Sequence, residues 1–572
     1  MDRKNPIFRQ VCREIIEELK KSPVKSKHHL NQIKIDVIKK NKIDIIPTNI
    51  DLSECATQDE RDSLKDILSI KPIRVLSGVN VVALMTAPFG CPHGKCIYCP
   101  GGLNSPFGDT PQSYTGTEPS ARRGKRNNYD SYLIVFNRLE QYICMNRIPD
   151  KVELIIMGGT FPSYPKKYQE EFVGHSFKAM NDFSDLFFKD GIFDYDKFLE
   201  FFELPDDIGG KERAAHIMEK CLKIKNNKPL NLEDEQKKNE TSLIRCIGLT
   251  VETKPDWART INGKDFLRLG CTRIELGVQT LYDNVLKFVN RGHSLQDIID
   301  STRELKDLGF KINYHIMPGL PGVTKDMDLA SYKKLFSDPD FRPDMVKIYP
   351  CMVFKGTKLY DMWKKWEYRP LNSDDAAKMI VEFKKNTPEY VRIMRVIRDI
   401  PTNMSEDGVR KTNLRQDIAL FMDKENAKCR CIRCREIGRS SQVIDGYEIK
   451  VIKYSASAGQ EFFIEAQCND SLLGYCRLRF PSSSLTPEIT DASAIIRELH
   501  VFGVKEQIGV KGMIGKSTQH IGIGKKLMKA AELIAEEHGK EKIVVISAVG
   551  TREYYKKLGY SLDGYYMSKT IC

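Results

Sequence analysis

The most constraining feature of this sequence is a loop of three closely spaced cysteines that reads Cys91-Pro-His-Gly-Lys-Cys96-Ile-Tyr-Cys99-Pro-Gly-Gly. The apolar run at 79–85 predicts a buried strand before the loop, so the cysteines follow a strand's carboxyl end, where barrel folds hold their chemistry. Three thiolates at this spacing can hold three corners of a 4Fe-4S cluster and leave the fourth iron open. An open iron can chelate the amine and carboxylate of S-adenosylmethionine, which makes radical chemistry the leading hypothesis.

Zinc and thiol redox chemistry are the alternatives for this loop. A zinc site normally has a second, similarly spaced Cys or His pair, and no such pair follows closely. A redox Cys-x-x-Cys site would leave Cys91 without a role. The spacing therefore favours the cluster.

Strand and helix patterns alternate along the chain around the cysteine loop. Such alternation predicts an α/β fold, with a parallel sheet curved into an incomplete barrel of six strand-helix units and helices on the outside. The predicted strands are 79–85, 152–157, 246–251, 273–278, 312–317 and 345–349. The predicted helices include 132–145, 294–308 and 327–336.

The length of 572 residues predicts about three or four domains. We expect a basic helical N-terminal region at 1–75, a partial barrel at 76–360, a connector at 361–440 and an α+β domain at 441–572. Within the barrel region, the polar run at 226–241 predicts a surface loop.

Lys and Arg exceed Asp and Glu by 90 to 77, a net charge of +13, which favours a polyanionic partner such as nucleic acid. Residues 1–75 are rich in lysine and predict a nucleic-acid contact, a solvated helical face or a flexible arm. Further basic groups are Arg122, Arg123, Lys125 and Arg126, and the trio Arg392, Arg395 and Arg398, whose spacing predicts one side of a helix. Several such groups together favour RNA over a merely solvated face.

The 16 cysteines are clustered like ligands or scattered singly through apolar strands, which is unlike a disulfide framework and fits a reducing compartment. No apolar run approaches the roughly 18 residues of a membrane span, and the N-terminus lacks a signal-peptide core. We expect a cytoplasmic protein without membrane association.

Paired glycines follow the second predicted barrel strand, in Met157-Gly158-Gly159-Thr160-Phe161. Glycines there would let the backbone approach a ligand such as the amino end of S-adenosylmethionine, or would simply make a tight turn. We take Gly158, Gly159 and Thr160 as cofactor-binding candidates.

Polar residues also end the next two barrel strands. Glu252 and Lys254 lie in Val-Glu-Thr-Lys-Pro-Asp, and Gln279 ends the following strand. Each is a candidate contact to a ribose or carboxylate, with Lys254 also a catalytic candidate, and each has a salt-bridged rim residue as its alternative.

A second cysteine group, Cys429-Arg-Cys431-Ile-Arg-Cys434, lies in the connector. Its spacing suits tetrahedral zinc, which needs a fourth ligand, and Cys351 at the end of the sixth strand is our candidate. Three free thiols in a basic loop are the alternative.

The C-terminal region changes to an antiparallel pattern, with predicted strands at 447–454, 461–467, 473–479 and 494–501. A glycine loop, Gln519-His-Ile-Gly522-Ile-Gly524-Lys525, then opens a helix whose free amides could cradle a pyrophosphate. With Arg-Glu498-Leu499-His500-Val501 before the loop and Gly-Thr-Arg-Glu-Tyr554-Tyr555 after it, the order matches an acetyl-coenzyme A binding acyltransferase.

In that pattern the strand backbone receives the thioester and pantetheine, the loop binds the pyrophosphate, and a late tyrosine lies near the sulfur. Tyr554 and Tyr555 are therefore catalytic candidates. His500 is a candidate for proton transfer, with a packed strand residue as the alternative.

These motifs together resemble the catalytic subunit of Elongator, the tRNA wobble-uridine acetyltransferase family, in a single-chain form like that of archaea. The resemblance covers about 76–572. It rests on Cys-Pro-Gly-Gly, Gln112-Ser-Tyr-Thr-Gly, Met157-Gly-Gly-Thr-Phe, Val251-Glu-Thr-Lys-Pro-Asp, Lys347-Ile-Tyr-Pro, Arg398-Asp-Ile-Pro, Arg497-Glu-Leu-His-Val, Gln519-His-x-Gly-x-Gly and Gly550-Thr-Arg-x-Tyr-Tyr. One departure is the spacing between Cys91 and Cys96, which is four residues where radical enzymes of this type usually have three.

The resemblance implies cluster ligands at Cys91, Cys96 and Cys99, and a GNAT-type domain that contacts acetyl-coenzyme A. The contacts implied are Glu498, Leu499, His500, Val501, Gln519, Gly522, Ile523, Gly524, Lys525 and Tyr555. It further implies a radical derived from S-adenosylmethionine that activates the acetyl methyl group for addition to C5 of the wobble uridine. The expected partners are the tRNA anticodon stem-loop and either Elongator-type accessory subunits or a second copy of the chain.

Two other functions remain open from the sequence. One is a protein lysine acetyltransferase whose cluster is structural. The other is a non-enzymatic RNA-binding scaffold that senses acetyl-coenzyme A.

Overall fold

The computed structural model describes residues 5–21, 27–68, 78–204, 210–437, 446–502 and 522–571. The strands are β1 (Val79–Met85), β2 (Lys151–Met157), β3 (Phe188–Lys189), β4 (Ile192–Phe193), β5 (Arg245–Thr253), β6 (Arg273–Gln279), β7 (Lys311–Ile316), β8 (Met345–Ile348), β9 (Arg392–Arg395), β10 (Glu448–Ala456), β11 (Gly459–Cys468), β12 (Ser471–Phe480), β13 (Ser493–Val501), β14 (Lys542–Val545), β15 (Ser561–Asp563) and β16 (Tyr566–Thr570).

The helices complete the secondary structure of the described residues. They are α1 (Pro6–Lys21), α2 (Lys27–Asn41), α3 (Asn49–Cys55), α4 (Gln58–Ser63), α5 (Lys65–Leu68), α6 (Pro119–Arg126), α7 (Ser131–Cys144), α8 (Lys166–Phe187), α9 (Tyr195–Phe201), α10 (Lys211–Lys225), α11 (Leu232–Asn239), α12 (Thr260–Arg268), α13 (Asp283–Phe288), α14 (Leu295–Asp307), α15 (Lys325–Ser337), α16 (Lys358–Lys364), α17 (Ser373–Lys385), α18 (Leu414–Lys424), α19 (Ile432–Arg435), α20 (Ile523–Glu537) and α21 (Arg552–Lys556). None of these described helices has both the length and the apolar character that a bilayer span requires.

The chain divides into two compact units, of which the first combines Met1–Val82, Ser131–Val152 and Phe172–Arg245. Helix α1 presents an apolar face to the core of this unit, where Val11, Cys12 and Ile15 are fully buried. Helices α3 and α4 each begin with a capping box, at Thr48 and Thr57. The described N-terminal residues are thus folded into a helical core, and the expectation of a flexible arm is wrong.

The first unit also corrects the interpretation of the polar run at 226–241 as a surface loop. The run contains α11, whose first turn is capped by the Asn231 side chain. Its members Gln236 and Asn239 are buried, and the Asn239 amide donates to the Ile244 carbonyl at 3.1 Å. A polar composition did not prevent folding because these side chains find hydrogen-bond partners.

The second unit contains Ala83–Asp130, Glu153–Glu171 and Cys246–Cys572. Its first sheet has the order β1-β2-β5-β6-β7-β8-β9, with parallel pairing from β5 to β9. The strands alternate with outer helices, as predicted for a partial barrel. The sheet has a seventh strand, β9, which lies where Arg392 and Arg395 had predicted a helix. That prediction is wrong because the segment pairs with β8.

The second sheet of this unit has the order β10-β11-β12-β13-β14-β16-β15. Its pairs are antiparallel except β13 and β14, which are parallel and are connected through α20. This is the antiparallel α+β domain expected at the C-terminus. Within the described residues, β14 pairs with β13 only at Ser493–Ile496, so the last five residues of β13 are open on that side.

A buried ion-pair network joins the two sheets at the amino-terminal end of the barrel strands. Arg497 on β13 donates to both carboxylate oxygens of Asp344, at 2.6 and 2.8 Å, and to the carbonyl of Phe310. Arg479 on β12 donates to Asp307 at 2.6 Å. All four charged side chains are at most 1% exposed, so this junction holds its groups in one geometry.

Candidate functional site

The cysteine loop begins six residues after β1 and folds through backbone turns rather than a helix. The Gly94 amide donates to the Cys91 carbonyl at 2.9 Å, and the Cys99 amide donates to the Cys96 carbonyl at 3.0 Å. Cys96 and Cys99 are buried, whereas Cys91 is half-buried. The loop thus presents three thiols at the carboxyl end of the sheet, as the sequence predicts.

Each sulfur of the loop has a hydrogen-bond donor from a different part of the chain. Such donors stabilise thiolates and tune a metal centre. They are the Thr160 hydroxyl to Cys91 Sγ at 3.5 Å, the Arg291 guanidinium to Cys96 Sγ at 3.9 Å, and the Ser113 amide to Cys99 Sγ at 3.2 Å.

The spacing of the sulfurs distinguishes a cluster from a single metal ion. Two thiolates on one tetrahedral zinc stand about 3.8 Å apart, since each Zn–S bond is about 2.3 Å. Among the described residues, the sulfurs of Cys91, Cys96 and Cys99 do not all lie within 4.8 Å of one another. Three irons of a cubane cluster hold their cysteines farther apart than one ion does, so this arrangement does not favour a single tetrahedral ion, and the 4Fe-4S group stays the prediction for this loop.

The paired glycines after β2 lie against this loop, with φ of 123° at Gly158 and 92° at Gly159. A Cβ on Gly158 would lie 2.4 Å from the Thr86 hydroxyl oxygen, and one on Gly159 would lie 3.8 Å from Cys91 Sγ. A Cβ on Gly159 would also lie 2.9 Å from the Tyr164 hydroxyl oxygen, so glycine alone fits the backbone conformation and the space at both positions. The structure therefore brings Gly158, Gly159 and Thr160 to the cysteine loop.

Glu252 and Lys254 leave β5 in different environments. Glu252 accepts a hydrogen bond from the Tyr114 hydroxyl at 3.0 Å and lies 3.5 Å from the Lys347 ammonium. Lys254 is 2% exposed and donates to Asp256 at 3.1 Å, and burial lowers its pKa. Both residues are thus ion-paired with other side chains of the barrel.

Gln279 ends β6 with an unusual backbone. Its φ is 71°, and the pairing register with β7 shifts at this point. Its carbonyl accepts from the Met317 amide at 2.8 Å. A positive φ at a residue other than glycine marks a strained position of the kind found at ligand sites.

Charged side chains inside the barrel were missed by the sequence interpretation. His315 Nε2 lies 2.7 Å from Glu275, and Lys347 forms a salt bridge with the same carboxylate. The carboxylates of Glu252 and Glu275 and the His315 ring come within 4.8 Å of one another, but the Lys347 ammonium pairs with both carboxylates as their cation. The sequence pattern that could have identified them is their alternation with apolar residues inside the predicted strands, which points every second side chain to the same face of the sheet.

Arg291 was also missed, because it lies in a loop after α13 and far from the cysteines in sequence. It is buried, and its guanidinium is fixed by two hydrogen bonds to the Gly277 carbonyl, at 2.7 and 3.1 Å. A Cβ on Gly277 would lie 2.2 Å from that guanidinium. The missing side chain of Gly277 therefore makes room for a cation beside Cys96.

In the C-terminal domain, the predicted contacts to acetyl-coenzyme A converge on the open part of β13. Glu498, Leu499, His500 and Val501 lie beyond its last residue paired with β14. Within the described part of the chain, these residues pair with β12 on one side only, and a strand backbone that is open on its other side can accept an extended ligand such as pantetheine. The carboxylate of Glu498 itself is occupied by the Arg477 guanidinium at 2.9 Å.

The start of α20 faces the same region. Gly522 precedes the helix with a φ of 89°, and a Cβ on Gly524 would lie 2.8 Å from the Tyr554 hydroxyl oxygen. Ile523 is buried and Lys525 is exposed. Gln519, the first residue of the predicted loop, lies outside the described residues.

The tyrosines and the histidine of this domain differ in their surroundings. Tyr555 is 7% exposed and Tyr554 37%, and burial raises the pKa of Tyr554 to about 12. His500 stacks on Tyr475 with ring centroids 5.7 Å apart, and burial lowers its pKa. The structure thus places His500 among aromatic rings, which favours a packed strand residue over a group that transfers protons.

The second cysteine group is compact, since the sulfurs of Cys429, Cys431 and Cys434 lie within 4.8 Å of one another. The Lys384 ammonium donates to Cys434 Sγ at 3.3 Å. The geometry fits a single tetrahedral ion such as zinc.

Cys351 is not a member of that group, which corrects its proposed role as fourth ligand. It is 1% exposed and packs in the apolar core that also contains Cys96 and Cys99. The sixth strand ends at the cysteine-loop side of the barrel, and no local sequence pattern indicates which cysteine group lies near that end.

Comparisons with known proteins agree with this arrangement. Four family models match the chain: ELP3 N-terminal domain at 8–76, Radical SAM superfamily at 208–335, Radical_SAM C-terminal domain at 343–423 and Acetyltransferase (GNAT) domain at 506–568. The radical SAM family implies a 4Fe-4S cluster and S-adenosylmethionine, and the GNAT domain implies acetyl-coenzyme A.

Similar full-length proteins carry related names. The tRNA uridine(34) acetyltransferase of Methanocaldococcus infernus is 42% identical, with 99% of this chain and all of that protein aligned. Elongator complex protein 3 of Homo sapiens is 36% identical over 95% of this chain and 93% of its own length. The solved structure of Methanocaldococcus infernus Elp3 with an N-terminal deletion has a TM-score of 0.70 and 38% identity, covering 86% of this chain and 99% of that one. The chain therefore belongs to the Elongator complex protein 3 family, whose members join a radical SAM barrel to a GNAT acetyltransferase domain.

Proposed function

We propose that this protein forms a carboxymethyl group at C5 of the wobble uridine in the tRNA anticodon, from acetyl-coenzyme A and S-adenosylmethionine. The observation that carries the proposal is that a cluster-binding barrel and an acetyl-coenzyme A fold share one compact unit with a buried ionic junction. The names of the full-length relatives supply the substrate class.

Radical chemistry suits this product because a carbon–carbon bond must form at a pyrimidine carbon. Ordinary acyl transfer needs only a nucleophilic heteroatom. When bound, the cluster and S-adenosylmethionine would supply a carbon radical able to take hydrogen from the acetyl methyl group.

In the barrel, Cys91, Cys96 and Cys99 would hold the cluster, and the Gly158-Gly159 backbone would leave room for the amino end of S-adenosylmethionine. Glu252 and Gln279 stand at the strand ends as candidates to orient its ribose or carboxylate. Lys254 holds a proton at Nζ in a buried ion pair, and we assign it a catalytic or positioning role at the barrel mouth.

In the acetyltransferase domain, the open backbone at 498–501 would bind the thioester and pantetheine. The amides at the start of α20, from Ile523 to Lys525, would bind the pyrophosphate. Tyr554 and Tyr555 would lie near the sulfur and exclude water from it. The compact cysteine group in the connector would hold zinc, in a structural role.

The direct test is anaerobic reconstitution with iron and sulfide, followed by mass spectrometry of nucleosides from tRNA incubated with both cofactors. Carboxymethyluridine at the wobble position is the expected product. Acetylation of lysine in added peptide without S-adenosylmethionine, and no modified uridine, would support a protein acetyltransferase instead.

Paired variants test whether the two chemistries have separate sites. Cys99→Ala should abolish cleavage of S-adenosylmethionine and leave coenzyme A binding intact, with the buried barrel thiol Cys271→Ala as control. Gly522→Glu should abolish coenzyme A binding and leave cleavage of S-adenosylmethionine intact. Its control is Gly539→Glu beyond the other end of α20, where the residue also has a positive φ and open space. Loss of both ligands in either test variant would contradict two independent sites.

A further inference from the structure

An exposed tryptophan follows the helix that contacts the cysteine loop, and it has no part in the site described above. Trp366 follows α16 and is 81% exposed, the largest exposed fraction among the described large apolar side chains. Its φ is 66°, which is rare for a bulky residue. This φ belongs to the turn that ends α16, where the Glu367 amide donates to the Met362 carbonyl at 3.0 Å, and it leaves most of the indole open to solvent.

Neighbouring groups hold the indole in place from one side. The Arg369 guanidinium lies 3.5 Å from the centre of the Trp366 ring. That guanidinium is itself fixed by hydrogen bonds to the carbonyls of Trp363 and Tyr368, at 2.6 and 2.8 Å. One face of the indole is therefore covered by a fixed cation, and its large exposed fraction leaves the other face to solvent.

The tryptophan is connected to the cysteine loop through α16. The Leu359 amide donates to the Ile97 carbonyl at 2.9 Å, and Leu359 and Tyr368 pack in one apolar core with Cys96 and Cys99. Trp363 on the same helix donates to Asp407 at 2.8 Å. The segment that carries Trp366 is thus anchored to the rim of the barrel where the cysteines lie.

The charge around the indole indicates its partner. Lys364, Lys365 and Arg369 are exposed within four residues of Trp366, with Glu367 as the acidic neighbour. Flat aromatic rings next to cations bind unstacked bases of single-stranded nucleic acid, with the ring on the base and the cations on phosphate. A protein partner would favour an apolar surround, which this patch lacks.

We propose that Trp366 is a stacking platform for an unpaired nucleotide of the tRNA anticodon loop that neighbours the base entering the barrel. The inference rests on the proposed function, because it takes tRNA as the substrate. It adds a residue that holds the loop open at the rim by stacking, while Lys364 and Lys365 attract the adjoining phosphates.

The test uses the full chain with an unmodified tRNA transcript and with its isolated anticodon stem-loop. Trp366→Ala should weaken binding about tenfold, which corresponds to about 1.4 kcal/mol for the loss of one stacked base, and Trp366→Phe should retain most of the affinity. The matched control is Ile261→Ala, which removes another apolar side chain that is 79% exposed. Its affinity should equal that of the unaltered protein.

Two further readouts separate stacking from charge. The chain has three tryptophans, and RNA should protect Trp366 from acrylamide quenching in the unaltered protein but give no such protection in Trp366→Phe. Trp366→Ala should leave the salt dependence of binding unchanged, whereas Lys365→Gln should reduce its slope by about one.

Unchanged RNA affinity in Trp366→Ala, together with no protection of Trp366 by RNA in the unaltered protein and with tRNA still modified, would overturn the platform and leave the proposed function standing. A change in the oligomeric state of Trp366→Ala with intact RNA binding would also overturn it, in favour of a protein interface. If the unaltered protein neither binds nor modifies tRNA, the proposed function itself fails.

Discussion

The two cysteine groups of this chain each have three thiols, but the thiols are spread apart in one group and converge in the other. Cys91, Cys96 and Cys99 are spread around a loop, with sulfurs that do not all come within 4.8 Å, whereas those of the connector group do. The first group lies at the carboxyl end of a parallel sheet, and the second around the short helix α19 in the connector. Spread sulfurs suit several metal ions in one cluster, and converging sulfurs suit one ion.

The groups are alike in having one cation beside one sulfur. Arg291 lies 3.9 Å from Cys96 Sγ, and Lys384 lies 3.3 Å from Cys434 Sγ. Each cation offsets part of the negative charge that three thiolates would gather when they bind metal. We infer that the spacing of the sulfurs selects the kind of metal centre, and that the nearby cation adjusts how strongly the metal is held or how readily it is reduced.

The largest expected effect is on metal content. Replacing Cys91, Cys96 and Cys99 together by alanine should remove the iron and leave zinc at about one per chain. Replacing Cys429, Cys431 and Cys434 should remove the zinc and leave the iron. Elemental analysis of anaerobically purified protein measures both metals. Zinc in the first group with no iron would refute the assignment of a cluster to the spread cysteines.

The second prediction concerns the cation beside the compact group. Lys384→Met should weaken zinc binding by about ten- to one-hundredfold, because partners just outside a metal's ligands typically contribute that much. Competition with a chelator gives the affinity. Lys378→Met on the same helix is a suitable control, since its ammonium lies near Phe421 and not near a cysteine. Equal losses in both variants would mean that the effect is one of helix stability.

Much of the fold was predictable because its signals are local. The barrel strands and outer helices are predicted by the spacing of apolar residues and by the length of each apolar segment. Their observed ends differ from the predicted ones by at most two residues. The acetyltransferase strands follow from alternation in the same way. The cysteine loop could be placed at a strand end because the strand directly precedes it.

The remaining features depend on contacts between distant segments. Strand β9 is four residues long and carries two arginines, so only its pairing with β8 reveals it. Cys351 had the right residue type for zinc, but its neighbours are set by packing around the cysteine loop. Arg291 approaches Cys96 across 195 positions of sequence through the space left by Gly277. No local pattern encodes such a contact.

The third prediction concerns the cation beside the spread group. Arg291→Gln should lower the reduction potential of the reconstituted cluster, because the buried positive charge favours the more negative, reduced form. A tenfold decrease in the ratio of reduced to oxidised cluster corresponds to about 59 mV for one electron. Potentiometric titration followed by electron paramagnetic resonance measures it.

Arg291→Lys separates charge from shape in the same experiment. It retains the positive charge and loses the paired hydrogen bonds to the Gly277 carbonyl. A potential close to that of the unaltered protein would assign the effect to charge. An unchanged potential in Arg291→Gln would show that the guanidinium has no electrostatic role at the cluster.

The smallest expected effect is a pH dependence of stability at Asp328 on α15. Asp328 accepts a hydrogen bond from the Gly319 amide at 2.7 Å, and burial raises the pKa of its carboxyl to about 7. The folded chain therefore holds this proton up to a higher pH than the unfolded chain, whose carboxyl has a pKa of about 3.9. Stability contributed by the protonated form is present below about pH 4 and is lost as the pH rises to about 7.

Asp328→Asn should remove this loss, because the amide has the same shape, stays neutral and still accepts from the Gly319 amide. The melting temperature of the variant should exceed that of the unaltered protein by a few degrees at pH 8 and by less at pH 5. Asp326→Asn, two residues earlier on α15 and exposed, is the control and should show no such dependence. If the gain were equal at both pH values, the effect would come from packing, and the charge of Asp328 would contribute nothing to the core that supports Cys96 and Cys99.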